Sequence, residues 1–293
     1  MFIVVKQYDP AVGDRESRYE LPDVLTCLDG STYQLLSFLG KGGNGAIYSC
    51  VKENGGTQPT RALKILRQTD AMRTQRFDFE VDVLQGIQHR NILSCYTVGE
   101  CRLAPTLHLP FMVTDLMQST LHRKVEYDGV RQPSEIVSYA DGLCDGLTEL
   151  HRLGIIHRDI KPANLFLRDN EVVIGDLGLA KTVSDEGELR FPRADLTRDS
   201  ETVGPHYAMS PELLDYADDK TTLVDERSDL FQVGYVLWYL ATGRPIVGML
   251  SPRADPTGGP LFEVVSRCIQ YDRDDRPSSA EELKTLIHTQ FGI

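Results

Sequence analysis

Between Ile155 and Gly178 the chain reads IIHRDIKPANLFLRDNEVVIGDLG, and no other stretch constrains the fold as much. Ile155-Ile156, Leu165-Phe166-Leu167 and Val172-Val173-Ile174 are short apolar runs rich in β-branched residues, so they read as strands. Arg168-Asp169-Asn170-Glu171 is the turn between the last two. Asp159, Lys161, Asn164 and Asp176 are spaced around them. The expectation is a hairpin with Asp159 and Asn164 at one end and Asp176 at the other, suited to a metal–phosphate site. The plainer alternative is a set of surface turns between buried strands, but four spaced polar residues in a strand context weigh against it.

The 293 residues suffice for one large or two small domains with sizeable cores. Apolar residues make up 41% and charged residues 25%, as in ordinary globular proteins. A net charge of −12 argues against general affinity for nucleic acid or anionic membrane. No apolar run approaches the ~20 residues of a membrane span. The start, MFIVVKQYDP, has too short an apolar run for a secretory signal and reads as an extra strand. Cys27, Cys50, Cys95, Cys101, Cys144 and Cys268 show no C-x-x-C spacing and read as reduced core thiols of a cytoplasmic protein.

In chain order, Phe2 to Val5 reads as a strand and Asp9 to Glu20 as a polar loop, within an extension over residues 1–30. Strand-like residues from Tyr33 lead to Gly40, Gly42 and Gly45 in G-x-G-x-x-G spacing, and strand-like residues follow from Ala46 to Val51. A dinucleotide-binding fingerprint would open a helix there instead. A strand–glycine loop–strand hairpin lets backbone N–H groups approach phosphates, although a glycine pattern alone is often just a turn. Lys64 lies in the apolar strand Arg61–Leu66, where a lysine by itself reads as solvent-facing. A helix follows over Arg73–Ile87, with Phe77, Glu80, Leu84 and Ile87 on one stripe. An acid on an apolar stripe needs a cation, and Lys64 is the candidate.

His89–Leu93 should end that helix and begin another strand, with a further strand over Leu109–Thr114. The boundary between lobes is expected at Asp115-Leu116-Met117, where Met117 reads either as plain core or as the wall of an adenine slot. Ser134–Arg152 is an amphipathic helix. Residues 179–208 are polar, and Leu230–Ala241 is apolar nearly all round, a central buried helix stopped by Thr242-Gly243. Ser210-Pro211-Glu212 opens a short helix, Ile246–Pro260 reads as loop, and Leu261–Cys268 and Ala280–His288 close the chain.

Together these residues, roughly 31 to 290, resemble the eukaryotic-like (Hanks-type) serine/threonine protein kinases, including bacterial relatives. The resemblance implies an α+β bilobal fold with a small β-rich N-lobe over 31–115 and a mainly helical C-lobe over 116–293. It implies ATP and Mg²⁺ as cofactors and a protein substrate bearing Ser or Thr. Gly40, Lys41, Gly42, Gly43 and Gly45 match the glycine-rich loop, Lys64 the phosphate-binding lysine and Glu80 its partner. Asp159 matches the catalytic base, Lys161 the residue that steadies the transferred phosphate, and Asn164 and Asp176 the Mg²⁺ ligands. Thr114 matches the gatekeeper, and Asp115 and Met117 offer backbone hydrogen bonds to adenine. Ile47, Ala62 and Phe166 complete the nucleotide-contacting set. Asp229 corresponds to the brace of the catalytic loop, and Arg276 to the arginine that pairs with Glu212.

Three departures stand out. Pro205 replaces the threonine, and Ala208 the tyrosine, of the segment before Ser210-Pro211-Glu212. Ile246–Pro260 is too short and too rich in Pro and Gly for the usual docking helix, which should be missing or vestigial. Asn44 replaces the aromatic at the glycine-loop tip. Arg158 implies phosphate capture on the activation segment, with Thr202, Ser200 and Thr197 as candidates for autophosphorylation. The presence of Lys64, Glu80, Asp159, Asn164 and Asp176 disfavours a pseudokinase scaffold, and the Glu212–Arg276 match disfavours a small-molecule phosphotransferase.

Overall fold

Residues 1–9, 13–42, 45–53, 59–183, 189–190, 208–218 and 222–293 are described by a computed structural model. The chain divides into two compact units, Met1–Gln88 with Leu93–Met117, and His89–Ile92 with Gln118–Ile293.

The first unit begins with an antiparallel hairpin, β1 (Phe2–Asp9) and β2 (Gly13–Glu20), in register from Phe2 opposite Glu20. The expected polar loop over Asp9–Glu20 is therefore mostly a strand. GDRESRYE carries no alternating apolar signal, and it is the backbone ladder with β1 that makes it extended. The hairpin is anchored rather than loose. Ile3 and Val5 are buried in the same apolar cluster as Tyr48, Leu63 and Phe111. The Lys6 amide donates to the Arg67 carbonyl at 3.1 Å, and Arg67 Nε donates to the Val4 carbonyl at 2.7 Å.

A six-stranded sheet follows: β3 (Val24–Thr26), β4 (Thr32–Gly42), β5 (Gly45–Lys52), β6 (Arg61–Leu66), β7 (Cys95–Ala104) and β8 (Leu107–Asp115), in spatial order β3-β4-β5-β6-β8-β7. Helix α1 (Ala71–Gly86) lies between β6 and β7 in sequence and buries Phe77, Glu80, Val81, Val83 and Leu84. Asp70 caps its start by accepting from the Arg73 amide at 3.1 Å.

His89–Ile92 belongs to the second unit, and the expected strand begins only at Cys95. Asn91 Nδ2 donates to the Val172 carbonyl at 2.7 Å, and the Ile174 amide donates to the Asn91 carbonyl at 2.8 Å. Gly146 is required beneath this segment, because a Cβ there would lie 2.9 Å from the Asn91 carbonyl oxygen.

In the second unit, β9 (Ser119–Thr120) leads into α2 (Leu121–Asp128), a helix the sequence pattern did not suggest. Then come α3 (Pro133–Arg152), β10 (Ile155–Ile156), β11 (Leu165–Arg168), β12 (Glu171–Ile174), β13 (Lys181–Val183) and β14 (Leu189–Arg190). Four helices close the chain: α4 (Pro211–Asp218), α5 (Arg227–Thr242), α6 (Pro260–Cys268) and α7 (Ala280–Phe291). Helix α5 is central and nearly all buried, and Gly243 ends it in the left-handed region at φ 67°.

Between α5 and α6 there is one short 3₁₀ turn, Pro252–Ala254, so the docking helix is missing as expected. Asp255 organises that loop, accepting from the amides of Thr257, Gly259 and Phe262 at 2.7–3.0 Å. All six cysteines are free and buried, and burial pushes the Cys50 thiol up to about 12. No helix among the described residues is long and apolar enough to cross a membrane.

Candidate active site

In the first unit, β4 and β5 form the glycine hairpin, with Gly40 opposite Ile47, Lys41 opposite Ala46 and Gly42 opposite Gly45. Gly43 and Asn44 lie outside the described residues. A Cβ on Gly45 would sit 3.3 Å from Lys64 Cγ, so glycine there leaves room for the lysine stem. Ile47 pairs with Lys64 and Ala62 with Thr114, which brings the predicted nucleotide-side residues onto adjacent strands. Lys64 Nζ donates to both Glu80 carboxylate oxygens, at 2.9 and 2.7 Å. Glu80 is buried on α1, which satisfies the requirement that an acid on an apolar stripe find a cation. Thr114 is buried, and the Asp115 carboxylate accepts from Arg61 and from Tyr96 Oη. Met117 lies two residues beyond the end of β8.

In the second unit, β11 and β12 pair with Leu165 opposite Ile174. This register corrects the expectation that Asp176 lies at the far end of the hairpin. An antiparallel pair returns the chain to its starting end, so Asn164 and Asp176 flank the same open end. The Gly175 amide, donating to the Asn164 carbonyl at 3.1 Å, closes it. Phe166 lies in β11 between Thr120 and Val173.

Asp159 is held by two side chains of its own loop. Lys161 Nζ donates to both its carboxylate oxygens, at 3.0 and 2.8 Å, and Asn164 Nδ2 donates to Oδ2 at 2.8 Å and to the Asp159 carbonyl at 2.9 Å. Burial pushes the Asp159 carboxyl above its ordinary value against the pull of Lys161, and the charge of Asp176 adds to the rise. Asp176 is exposed and adopts the left-handed conformation at φ 58°. The Asp176 carboxylate and the Asn164 side-chain oxygen, flanking one end of the hairpin, are hard oxygen donors of the kind that suit a divalent cation.

The loop carrying Asp159 rests on α5. Asp229 is fully buried and accepts from the amides of His157 at 2.9 Å and Arg158 at 2.7 Å, and from His151 Nε2 at 2.8 Å. Burial alone would raise its pKa. The hydrogen bond and charge of His151, with the other donors, hold it below the usual carboxylate range. His157 accepts the Asp159 amide at Nδ1 and meets the Gly175 carbonyl through Nε2 at 3.1 Å, which sets its tautomer with the proton on Nε2.

Arg276 and Glu212 form a buried bidentate pair at 2.7 and 2.9 Å, as the sequence match suggested. Arg158 is buried at φ 68° with its guanidinium over the Tyr216 ring, and Lys181 Nζ donates to Tyr216 Oη at 2.9 Å. Thr197, Ser200, Thr202 and Pro205 lie outside the described residues. Sequence reasoning missed His151, Tyr216 and Gln232. For Gln232 a signal existed, since it is a buried amide on an otherwise apolar helix and must find partners. His151 and Tyr216 carried none, because their partners are distant in the chain.

Residues 33–289 match the family model described as protein kinase domain. The serine/threonine-protein kinase PkaA of Streptomyces coelicolor is 30% identical over 294 residues, covering 90% of this chain and 51% of the relative. The serine/threonine-protein kinase PknB of Mycolicibacterium smegmatis is 30% identical, covering 89% and 43%. A serine/threonine-protein kinase of Arabidopsis thaliana is 28% identical, covering 77% and 40%. The chain thus spans about two fifths to one half of the length of these relatives.

Proposed function

The chain belongs to the protein kinase family, and on that premise we propose that it transfers the γ-phosphate of ATP to serine and threonine hydroxyls of proteins. The observation that carries this reading is the Asp159 carboxylate, buried and fixed by Lys161 and Asn164 on a loop anchored to the central helix. Phosphoryl transfer asks mainly for positioning and for neutralisation of charge.

The substrate hydroxyl oxygen forms a bond to the γ-phosphorus, the bond to the β–γ bridging oxygen breaks, and ADP leaves. Asp159 orients the hydroxyl and accepts its proton. Lys161, already on the carboxylate, steadies the phosphoryl group in transit. Lys64, aligned by Glu80, binds phosphate oxygens, and the backbone around Gly40, Lys41, Gly42, Gly43 and Gly45 covers them. Thr114, Asp115, Met117, Ile47, Ala62 and Phe166 receive the base. Asn164 and Asp176 hold Mg²⁺, which when bound neutralises phosphate charge. The same chemistry, turned on the chain's own activation segment, modifies Thr202, Ser200 or Thr197.

Incubation with Mg-ATP followed by phosphosite mapping, with Asp159→Asn as control, tests the reading. Phosphoserine or phosphothreonine in wild type but not in the variant is the expected result. No transfer to self or to a generic protein by wild type would refute it.

A further inference from the structure

Gln232 lies one turn after Asp229 on α5, 3% exposed. Its Oε1 accepts from the Ile160 amide at 2.8 Å, and its Nε2 donates to the Arg158 carbonyl at 3.1 Å. These two groups belong to the two peptide planes that meet at the Asp159 Cα. One carboxamide therefore grips both planes and limits rotation about φ and ψ of that single residue. Its role differs from that of Asp229, which holds the amides of His157 and Arg158, upstream of the acid.

A backbone account shows how complete the hold is. From the Arg158 amide to the Ile160 amide, five consecutive polar groups each have a side-chain partner: Asp229, Gln232, His157, Asn164 and Gln232 again. Arg158 sits at φ 68°, a conformation that persists only where the surroundings over-determine it. The Asp159 carboxylate projects from this locked backbone, and catalytic geometry tolerates only about 0.5 Å and 10–20° of error.

We propose that Gln232 is a positioning residue for phosphoryl transfer, acting through the Asp159 backbone to aim its carboxylate at the attacking hydroxyl. The proposal rests on the kinase reading above. It assigns Gln232 to the chemical step and not to nucleotide affinity, because its two bonds end on the loop of the acid.

The test compares wild type with Gln232→Met, which keeps side-chain length and removes both hydrogen bonds. Gln232→Asn, which keeps the amide but retracts it by one methylene, serves as the second variant should the first not melt cooperatively. The readouts are kcat and KM for ATP on a generic protein substrate, and hydrogen exchange over residues 157–165. The expected result is a kcat lowered tenfold or more with KM for ATP within twofold, and faster exchange in the loop. A kcat lowered less than fivefold in a folded variant, or a loss matched by an equal rise in KM for ATP, would overturn the proposal. If wild type itself transfers no phosphate, the kinase reading fails separately. Unchanged loop exchange would then still overturn the grip assigned to Gln232.

Discussion

Lys64 and Asp159 each meet an opposite charge at under 3 Å, yet the protein holds them in different ways. Asp159 sits on a loop whose peptide groups are tied by buried side chains from the central helix, so its direction is part of the core packing. Lys64 extends from the middle of β6, with its side chain 24% exposed, and reaches a carboxylate on a separate helix. Its alignment depends on where α1 lies. Damage to the first arrangement should therefore cost stability and activity together, whereas damage to the second should cost activity and a smaller share of stability, that of leaving buried Glu80 without its cation.

The largest effect is expected from Asp229→Ala. It orphans two buried amides at about 1–3 kcal/mol each, so chemical denaturation should show a loss of about 2–6 kcal/mol, with phosphate transfer abolished. Lys64→Met should lower kcat by about a hundred- to a thousandfold, the scale of removing one charge-stabilising donor, while melting falls by less than in Asp229→Ala. Equal melting losses in the two variants would erase the distinction between the regions.

Acid should weaken the side built around the central helix. Burial alone would raise Glu212, but hydrogen bonds from Arg276 and Ser228 hold its carboxyl below the usual range, as the donors around Asp229 do there. A depressed carboxylate contributes stability that is present above its unfolded pKa, about 4, and is lost as pH falls through the folded value. Melting temperature should accordingly drop below about pH 4, and the advantage of wild type over Glu212→Gln should shrink in the same range. The smallest effect is expected from Asp70→Ala. Removing the cap of α1 should cost about 1 kcal/mol in denaturant titrations and lower activity through Glu80, leaving exchange in residues 157–165 unchanged.

Much of the site could be read without coordinates because its strands are short, β-branched and bounded by turn residues. Leu165–Arg168 and Glu171–Ile174 pair as their composition suggests, and α5 is buried because LFQVGYVLWYLA has no polar face to leave in water. The Lys64–Glu80 pair was foreseeable because an acid on an apolar stripe demands a cation. The strand at Gly13–Glu20 was hidden, since its charged side chains carry no period-two pattern and only β1 makes it extended. The bonds of Gln232 were hidden too. A buried amide announces that it has partners, but not that they lie over seventy positions away.

The sequence by itself determined the family and most of the longer strands and helices, and it offered the acids, amide and lysines suited to phosphate chemistry. Motif spacing and periodicity are local and survive in one dimension. The tertiary structure alone decided that Asn164 and Asp176 flank one end of the hairpin, and that Phe2–Asp9 pairs with Gly13–Glu20. It also decided that one side chain from α5 grips both peptide planes of Asp159. Register and hydrogen-bond partnership join residues far apart in the chain, and they exist only once the backbone has closed on itself.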